Sequence, residues 1–249
     1  MPPIRTSAAL KALRPRSRRL LAVFPHPDDE SYGCAGTLAR VGTDPDGAAV
    51  LLCLTRGEAS SMGRQRGLSP AEVGDLREQR LQEVAEVLKL DGLVLERLPD
   101  SRMARCALDE VAGKIDAVVQ ALQPQVVIGH DPRGVNAHAD HIATHWALRH
   151  ALLGHPEIRF AMLAYPPSMT ESLAPRLLFP TPEEEIDAVI ELTEPEIEAK
   201  EACLRIHEAL VTLREDGDPS LLRRPPLERY DFLGEDCAER LTDLFGKRP

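Results

Sequence analysis

Two nearly unbroken apolar runs, Leu20–Phe24 and Ala48–Thr55, constrain the fold more than any other feature of the chain. A strand with one wet face alternates apolar and polar residues. A continuous run of this length instead suits a strand covered on both faces, as in parallel sheets. Between the two runs, Gly33–Val41 has helical spacing and is closed by Gly42 and the Asp44–Gly47 turn, which completes one βαβ unit. The pattern repeats downstream. Pro70 opens a helix to about Leu90 with Ser69 as its N-cap, then a strand is predicted at Leu93–Leu98, a helix at Leu108–Leu122 and a strand at Gln125–Gly129. A helix at about Asp140–Leu153 and a strand at Ile158–Tyr165 follow. Such alternation predicts an α/β fold: a Rossmann-like, mostly parallel sheet with helices on both faces, in a single domain with an irregular C-terminal third. In that last third, proline-bearing residues 166–182 are predicted as a surface excursion, Ile186–Leu192 as a strand and Pro195–Leu213 as a helix. The acid-rich stretch Glu183–Glu201 is expected to face solvent.

Composition excludes several classes of function. With 43% hydrophobic and 28% charged residues, the chain is neither disordered nor fibrous. It has no apolar stretch of the roughly 18–20 residues that a membrane span needs, so no membrane partner is expected. A net charge of −10 argues against nucleic acid. The first residues are basic (Arg5, Lys11, Arg14, Arg16, Arg18, Arg19), so residues 1–19 are set apart as a basic extension and 20–249 as the domain proper. The apolar run after those bases is too short for a secretory h-region. Five dispersed cysteines without a CxxC pair suit reduced thiols and a cytoplasmic protein. Assembly into a homo-oligomer is left open.

Chemistry concentrates after two of the predicted strands. Pro25-His26-Pro27-Asp28-Asp29-Glu30 follows the first, and in open α/β sheets reacting groups gather beyond the carboxyl ends of the strands. An imidazole and several carboxylates in one proline-stiffened turn can converge on a divalent cation. Glu30 is as readily a helix-start residue. The second cluster runs from His130 to His141 after the fourth strand, with His138 and His141 at the entry of a helix. A ligand set of His26, Asp29 and His141 would leave a coordination position open, as a catalytic metal requires. His145 and His150, farther along that helix, are expected to be surface or hydrogen-bonded residues.

These residues resemble the LmbE-like, or PIG-L-type, zinc-dependent de-N-acetylases, whose motifs are (A/P)HPDDE and roughly HPDH. The first motif is present as Pro25–Glu30; the second appears as His138-Ala139-Asp140-His141, with Ala139 in place of proline. Thr55-Arg-Gly-Glu58, Arg77, Pro99-Asp100 and Asp131-Pro-x-Gly134 resemble weaker family signals, so that the similarity spans about residues 20–150, and Lys200…His207 is similar to a late-helix pair. The resemblance implies that His26, Asp29 and His141 bind Zn²⁺, or another divalent metal such as Fe²⁺. It casts Asp28 as general base and His138 as oxyanion donor or acid, with Asp140 holding a site histidine in its tautomer. Arg77 and Asp100 match positions that contact the substrate sugar or its aglycone. Asn136 stands where mycothiol-precursor enzymes have tyrosine, and Arg80 where the family often has glutamate. The implied partner is a small N-acetylglucosamine-type conjugate, such as a thiol-cofactor precursor carrying malate or inositol, or an antibiotic sugar.

The residues suit that chemistry independently of the family. Amide hydrolysis needs an activated water, a carboxylate to take its proton and a donor for the oxyanion, here protonated His138. Arg64 and Arg66, in the loop Arg56–Ser69, are candidates for the rim of such a site. Asn136-x-His138-x-Asp140-His141 is one residue short of the HxHxDH signature of metallo-β-lactamase-type hydrolases, which would leave the first motif unexplained. No G-x-S-x-G elbow and no G-x-G-x-x-G loop is present, which disfavours a serine hydrolase and a dinucleotide-binding protein. The non-enzyme alternative is a sugar- or metal-binding protein on the same fold.

Overall fold

The computed structural model describes residues 7–172, 178–207 and 226–247. In chain order its strands are β1 (Arg18–Phe24), β2 (Gly47–Cys53), β3 (Gly92–Leu95), β4 (Val126–Gly129), β5 (Arg159–Leu163), β6 (Ala188–Glu191) and β7 (Leu227–Phe232). The helices are α1 (Ser7–Lys11), α2 (Asp29–Gly33), α3 (Ala35–Thr43), α4 (Met62–Arg66), α5 (Pro70–Val87), α6 (Leu108–Leu122), α7 (Gly134–Ala137, one distorted turn), α8 (Ala139–Ala151), α9 (Pro167–Ser172) and α10 (Glu194–Ile206).

The strands form one sheet in the order β3-β2-β1-β4-β5-β7-β6. β1 to β5 run parallel, while β7 pairs antiparallel with both β5 and β6. The continuous apolar runs have the expected cause. Successive side chains of a strand point to opposite faces, and both faces are covered. Leu20, Ala22 and Phe24 enter one core with Leu38, Leu81, Leu88 and Tyr230. Leu21 and Val23 enter the other with Ile115, Val119, Leu148 and Phe160.

Local signals account for the helix boundaries. Ser69 closes a capping box with Glu72, whose carboxylate accepts the Ser69 N–H at 2.8 Å, and Pro70 sits in the first turn of α5. α6 spans the predicted residues. Part of the basic extension is built into the body: Leu10 and Leu13 are buried in the second core, and β1 already begins at Arg18. The helix foreseen over Pro195–Leu213 is α10, described as far as His207; residues 208–213 lie outside the described set. β7 has no counterpart among the predicted strands. The acid-rich stretch is only partly solvated: Glu196 pairs with Arg40 at 2.7 Å, and Ala188 and Ile190 of β6 are buried. The described cysteines are all free thiols, and no helix among the described residues is long and apolar enough to cross a membrane.

The topology fixes where a site can form. From β1 the chain moves outward to β2 and β3, then returns to the other side of β1 for β4 and β5. The order therefore reverses between β1 and β4, and the crevice beyond their carboxyl ends is where such sheets bind ligands. The two clusters of His and Asp residues follow β1 and β4.

Candidate active site

The loop after β1 is shaped by its own side chains. Asp29 Oδ2 accepts the His26 N–H at 3.0 Å and so closes the turn. Thr55, two residues beyond β2, donates both its N–H and its hydroxyl to the Pro25 carbonyl, at 2.9 and 2.8 Å, which ties the loop to the chain leaving β2. After β4, Asp131 Oδ1 accepts the Val135 N–H at 2.6 Å, folding the chain back so that α8 delivers His141 to the same crevice.

His26, Asp29 and His141, all buried, meet there. His141 Nε2 lies 3.3 Å from His26 Nδ1 and 3.3 Å from Asp29 Oδ1, and His26 Nδ1 lies 3.4 Å from Asp29 Oδ2. The outer nitrogens define the tautomers. His141 Nδ1 is 3.1 Å from the Gly134 carbonyl, an acceptor only. His26 Nε2 is 3.2 Å from Asp100 Oδ1 and 3.3 Å from Asp140 Oδ2. When neutral, rings so engaged carry their hydrogens outward and turn two nitrogen lone pairs toward the carboxylate, a set that calls for positive charge, whether from a proton on His26 or from a bound ion. A cation relieves that arrangement. Nitrogens bound to one tetrahedral ion at about 2.0–2.1 Å would stand about 3.3–3.4 Å apart, so the donor set and its spacing fit Zn²⁺. Two histidines and one carboxylate would also suit Fe²⁺.

The electrostatics favour positive charge at this point. Burial opposes a charge on His26, yet hydrogen bonds to Asp100, Asp140 and Asp29 outweigh it and push its pKa well above the usual value. Burial likewise opposes ionisation of Asp29, but His141 and His130 beside it hold its carboxyl well below the usual carboxylate range.

Around this centre, Asp28 is half-buried, with Oδ2 2.9 Å from Arg77 Nη2. Burial pushes its pKa up against the pull of Arg77, with neighbouring Asp29 adding to the rise. His138 caps α8, its Nδ1 accepting the Asp140 N–H at 3.2 Å, so a neutral ring has its hydrogen on Nε2. Its ring stands edge-on to His26, with centroids 4.7 Å apart. Burial, then the charges of His26 and His141, lower its pKa. With Nδ1 engaged in the cap, Nε2 is the ring nitrogen of His138 left to face a substrate oxygen.

Arg77 and Asp100, expected to touch substrate, both turn inward. Arg77 is buried and donates to Asp28, to the Gly57 carbonyl at 3.2 Å and to the Pro27 carbonyl. Gly57 has φ 66°, and a Cβ there would overlap the Arg77 guanidinium. Asp100 stands behind His26 and accepts the Ala59 N–H at 2.7 Å. Asp140, fully buried, accepts the backbone N–H groups of Ser101 at 2.7 Å and Met103 at 3.0 Å besides facing His26. Arg64 and Arg66 are exposed on α4.

His130 takes a place that sequence reading did not assign. It stacks on His141 with centroids 3.9 Å apart and planes 7° apart, and its Nε2 is 3.8 Å from Asp29 Oδ1. Parallel rings so stacked do not turn their lone pairs toward one point, so His130 packs on the face of His141, although donor atoms of Asp29, His130 and His141 lie close enough together to share an ion. Its place directly after β4, at the switch point, was the available signal. His145 is buried with Nδ1 2.9 Å from the His130 carbonyl, whereas His150 is exposed near Asp109. Backbone strain collects at the same loops: of six non-glycine residues with positive φ among those described, Asp28, Ser101, Val135 and Ala137 flank this centre.

Known proteins resemble the chain in both sequence and fold. The family model described as PIG-L: GlcNAc-PI de-N-acetylase matches residues 21–152. A 1D-myo-inositol 2-acetamido-2-deoxy-alpha-D-glucopyranoside deacetylase of Mycolicibacterium smegmatis is 30% identical over 241 residues, covering 81% of this chain and 83% of that protein. The protein of the same description from Rhodococcus erythropolis is 32% identical over 149 residues, 52% of this chain, and the chain spans only 51% of its length. Among solved structures, N,N'-diacetylchitobiose deacetylase from Pyrococcus horikoshii shares the fold with a TM-score of 0.66 at 17% identity, over 87% of this chain and 84% of that one. The family match takes in the loops after β1 and β4 that carry the converging residues, and the chain belongs to the PIG-L family of de-N-acetylases.

Proposed function

We propose that the protein is a zinc-dependent hydrolase that removes the acetyl group from an N-acetylglucosamine conjugate of small size, with N-acetylglucosaminyl inositol as the first substrate to test. One observation carries the reading: His26 Nδ1, His141 Nε2 and the Asp29 carboxylate converge within 3.3–3.4 Å beside a second carboxylate outside that set, Asp28, paired with Arg77, and an imidazole, His138. The deacetylase activity named for the Mycolicibacterium relative, similar over most of its length, supports the substrate class.

His26, Asp29 and His141 would hold the ion, with Asp100 and Asp140 fixing His26 and the Gly134 carbonyl fixing His141. A divalent ion so held supplies Lewis acidity, acidifying water and polarising an amide carbonyl. Asp28 takes a proton as water adds to the amide carbon, and its raised pKa brings it nearer the working pH. His138 donates Nε2–H to the developing oxyanion. The C–N bond then breaks as the leaving nitrogen takes the proton back from Asp28, giving acetate and a free amine.

The test is acetate release by zinc-loaded protein from N-acetylglucosaminyl inositol and N-acetylglucosaminyl malate, alongside Asp28→Asn. The expected result is turnover of at least one substrate and a kcat lowered about 10²–10⁴-fold in the variant at unchanged zinc content. Full zinc occupancy without acetate release from either would favour a non-catalytic sugar- or metal-binding protein. An active Asp28→Asn variant would remove Asp28 from the role of base.

A further inference from the structure

Asp28 and Asp29 are adjacent, yet their carboxylates serve different partners: Asp29 faces His26 and His141, and Asp28 faces Arg77. That divergence requires Asp28 to hold φ 128° and ψ −26°, a backbone region that residues with a Cβ rarely occupy. Something must hold it there. The Asp28 N–H donates to Glu30 Oε2 at 3.1 Å. Glu30 is fully buried, and its Oε1 accepts the Ser31 hydroxyl at 2.6 Å and faces His207 Nε2 at 2.9 Å. His207 closes the C-terminal end of α10, is itself buried, and is anchored through its carbonyl by Arg80 Nη1 of α5 at 3.5 Å. The Ser31 and Asp28 contacts belong to Glu30's own loop; the His207 contact reaches it across 177 positions of sequence.

We infer that His207 is a positioning residue for Asp28, acting through the buried carboxylate of Glu30. The inference rests on the reading of Asp28 as the base. With the His207 donor gone, Glu30 keeps only the contacts of its own loop, from Ser31 and from the Asp28 N–H itself, so nothing outside the loop holds the carboxylate in place and the Asp28 backbone relaxes toward ordinary φ. Its carboxylate then swings away from Arg77 and from the water it must deprotonate. A displacement of about 1 Å at such a group costs on the order of 10²-fold in rate.

His207→Leu and His207→Gln decide the matter, the glutamine retaining an N–H donor. Per folded, zinc-loaded molecule, His207→Leu should lower kcat roughly 10–100-fold while KM and zinc stoichiometry stay within about twofold, and His207→Gln should recover much of the loss. A purely structural role would reduce the folded fraction and leave kcat per folded molecule unchanged. A crystal structure of His207→Leu should show Asp28 out of the positive-φ region and parted from Arg77. An unchanged kcat in an active enzyme overturns the inference, and so does an Asp28 that keeps its conformation. Should His207→Leu fail to fold, Glu30→Gln, of nearly equal volume, is measured in the same two ways. If the unaltered protein releases no acetate, the proposed reaction fails on that control, while the crystal structure still decides whether His207 positions Asp28.

Discussion

At Gly134 the site accepts only one residue type. Its φ is 66°, and a Cβ built there would stand 2.9 Å from His141 Cβ, 2.9 Å from Ile142 Cγ1 and 3.1 Å from the Ile142 nitrogen. Its carbonyl also receives the outer nitrogen of His141. Gly134→Ala must therefore move a proposed metal ligand, and is expected to cost about 1–3 kcal/mol of stability and to weaken zinc binding at least about tenfold. Urea unfolding and competition with a chromogenic chelator would measure both; wild-type affinity would contradict the close-packing account. Asp140→Asn tests the opposite side of the centre. It replaces an oxygen that faces His26 Nε2, or one that accepts a backbone N–H, with an amide that donates. Zinc affinity should fall about 10–100-fold with the fold retained. The difference between these two residues explains what the sequence discloses. His26, Asp28, Asp29 and His141 can be singled out in the sequence because their chemistry would reside in the side chains of two short motifs, Pro25–Glu30 and His138–His141, and the fold brings those motifs together. The need for glycine at 134, the inward turn of Arg77 and the stacking of His130 depend on neighbours brought close only by folding.

Among the secondary-structure elements, legibility follows periodicity. β1, β2, β4 and β5 are built on apolar runs, α5 carries a capping box and α6 has helical spacing, so their existence could be foreseen. β7 could not, because its alternation is disguised: the residues buried on its inner face are Glu228, Tyr230 and Phe232. A glutamate in the first inward position reads as solvent-facing. In the folded chain Glu228 acts as a remote cap for α3, whose own N-cap residue, Cys34, makes no side-chain cap bond. It accepts the N–H of Gly36 at 3.0 Å, the N–H and hydroxyl of Thr37 at 2.8 and 2.6 Å, and Lys200 Nζ at 2.7 Å. Glu228→Ala would leave Lys200 and two helix-start donors without their carboxylate. The expected cost is about 3–5 kcal/mol, well above that of losing an exposed cap. A urea midpoint reporting less than about 1 kcal/mol would show that water or another side chain replaces it.

For the molecule as a whole, the net charge of −10 identifies no partner, but the fold concentrates part of it where it affects stability. Asp231 of β7 is half-buried, and its pKa is raised from the ordinary 3.8 to about 6, first by burial and then by Asp187, Glu185 and Asp131, against the pull of Arg133. The linkage follows from proton counts. Between pH 3.8 and about 6 the folded chain keeps a proton that the unfolded chain has released. Stability therefore falls as pH rises through that interval, and above it the full penalty of a crowded carboxylate remains. Asp231→Asn removes the penalty, so the variant should be more stable than wild type at pH 7. After allowance for partial exposure of the group to solvent, the gain is about 1 kcal/mol. It should shrink as pH falls through about 6 and vanish near pH 4, where wild-type Asp231 is protonated in both states. Urea midpoints for the two proteins from pH 4 to 8 provide the measurement. A gain independent of pH would point to packing instead of charge, and a loss at pH 7 would mean that the Asp231 carboxylate is stabilised by Arg133 more than its acidic neighbours oppose it.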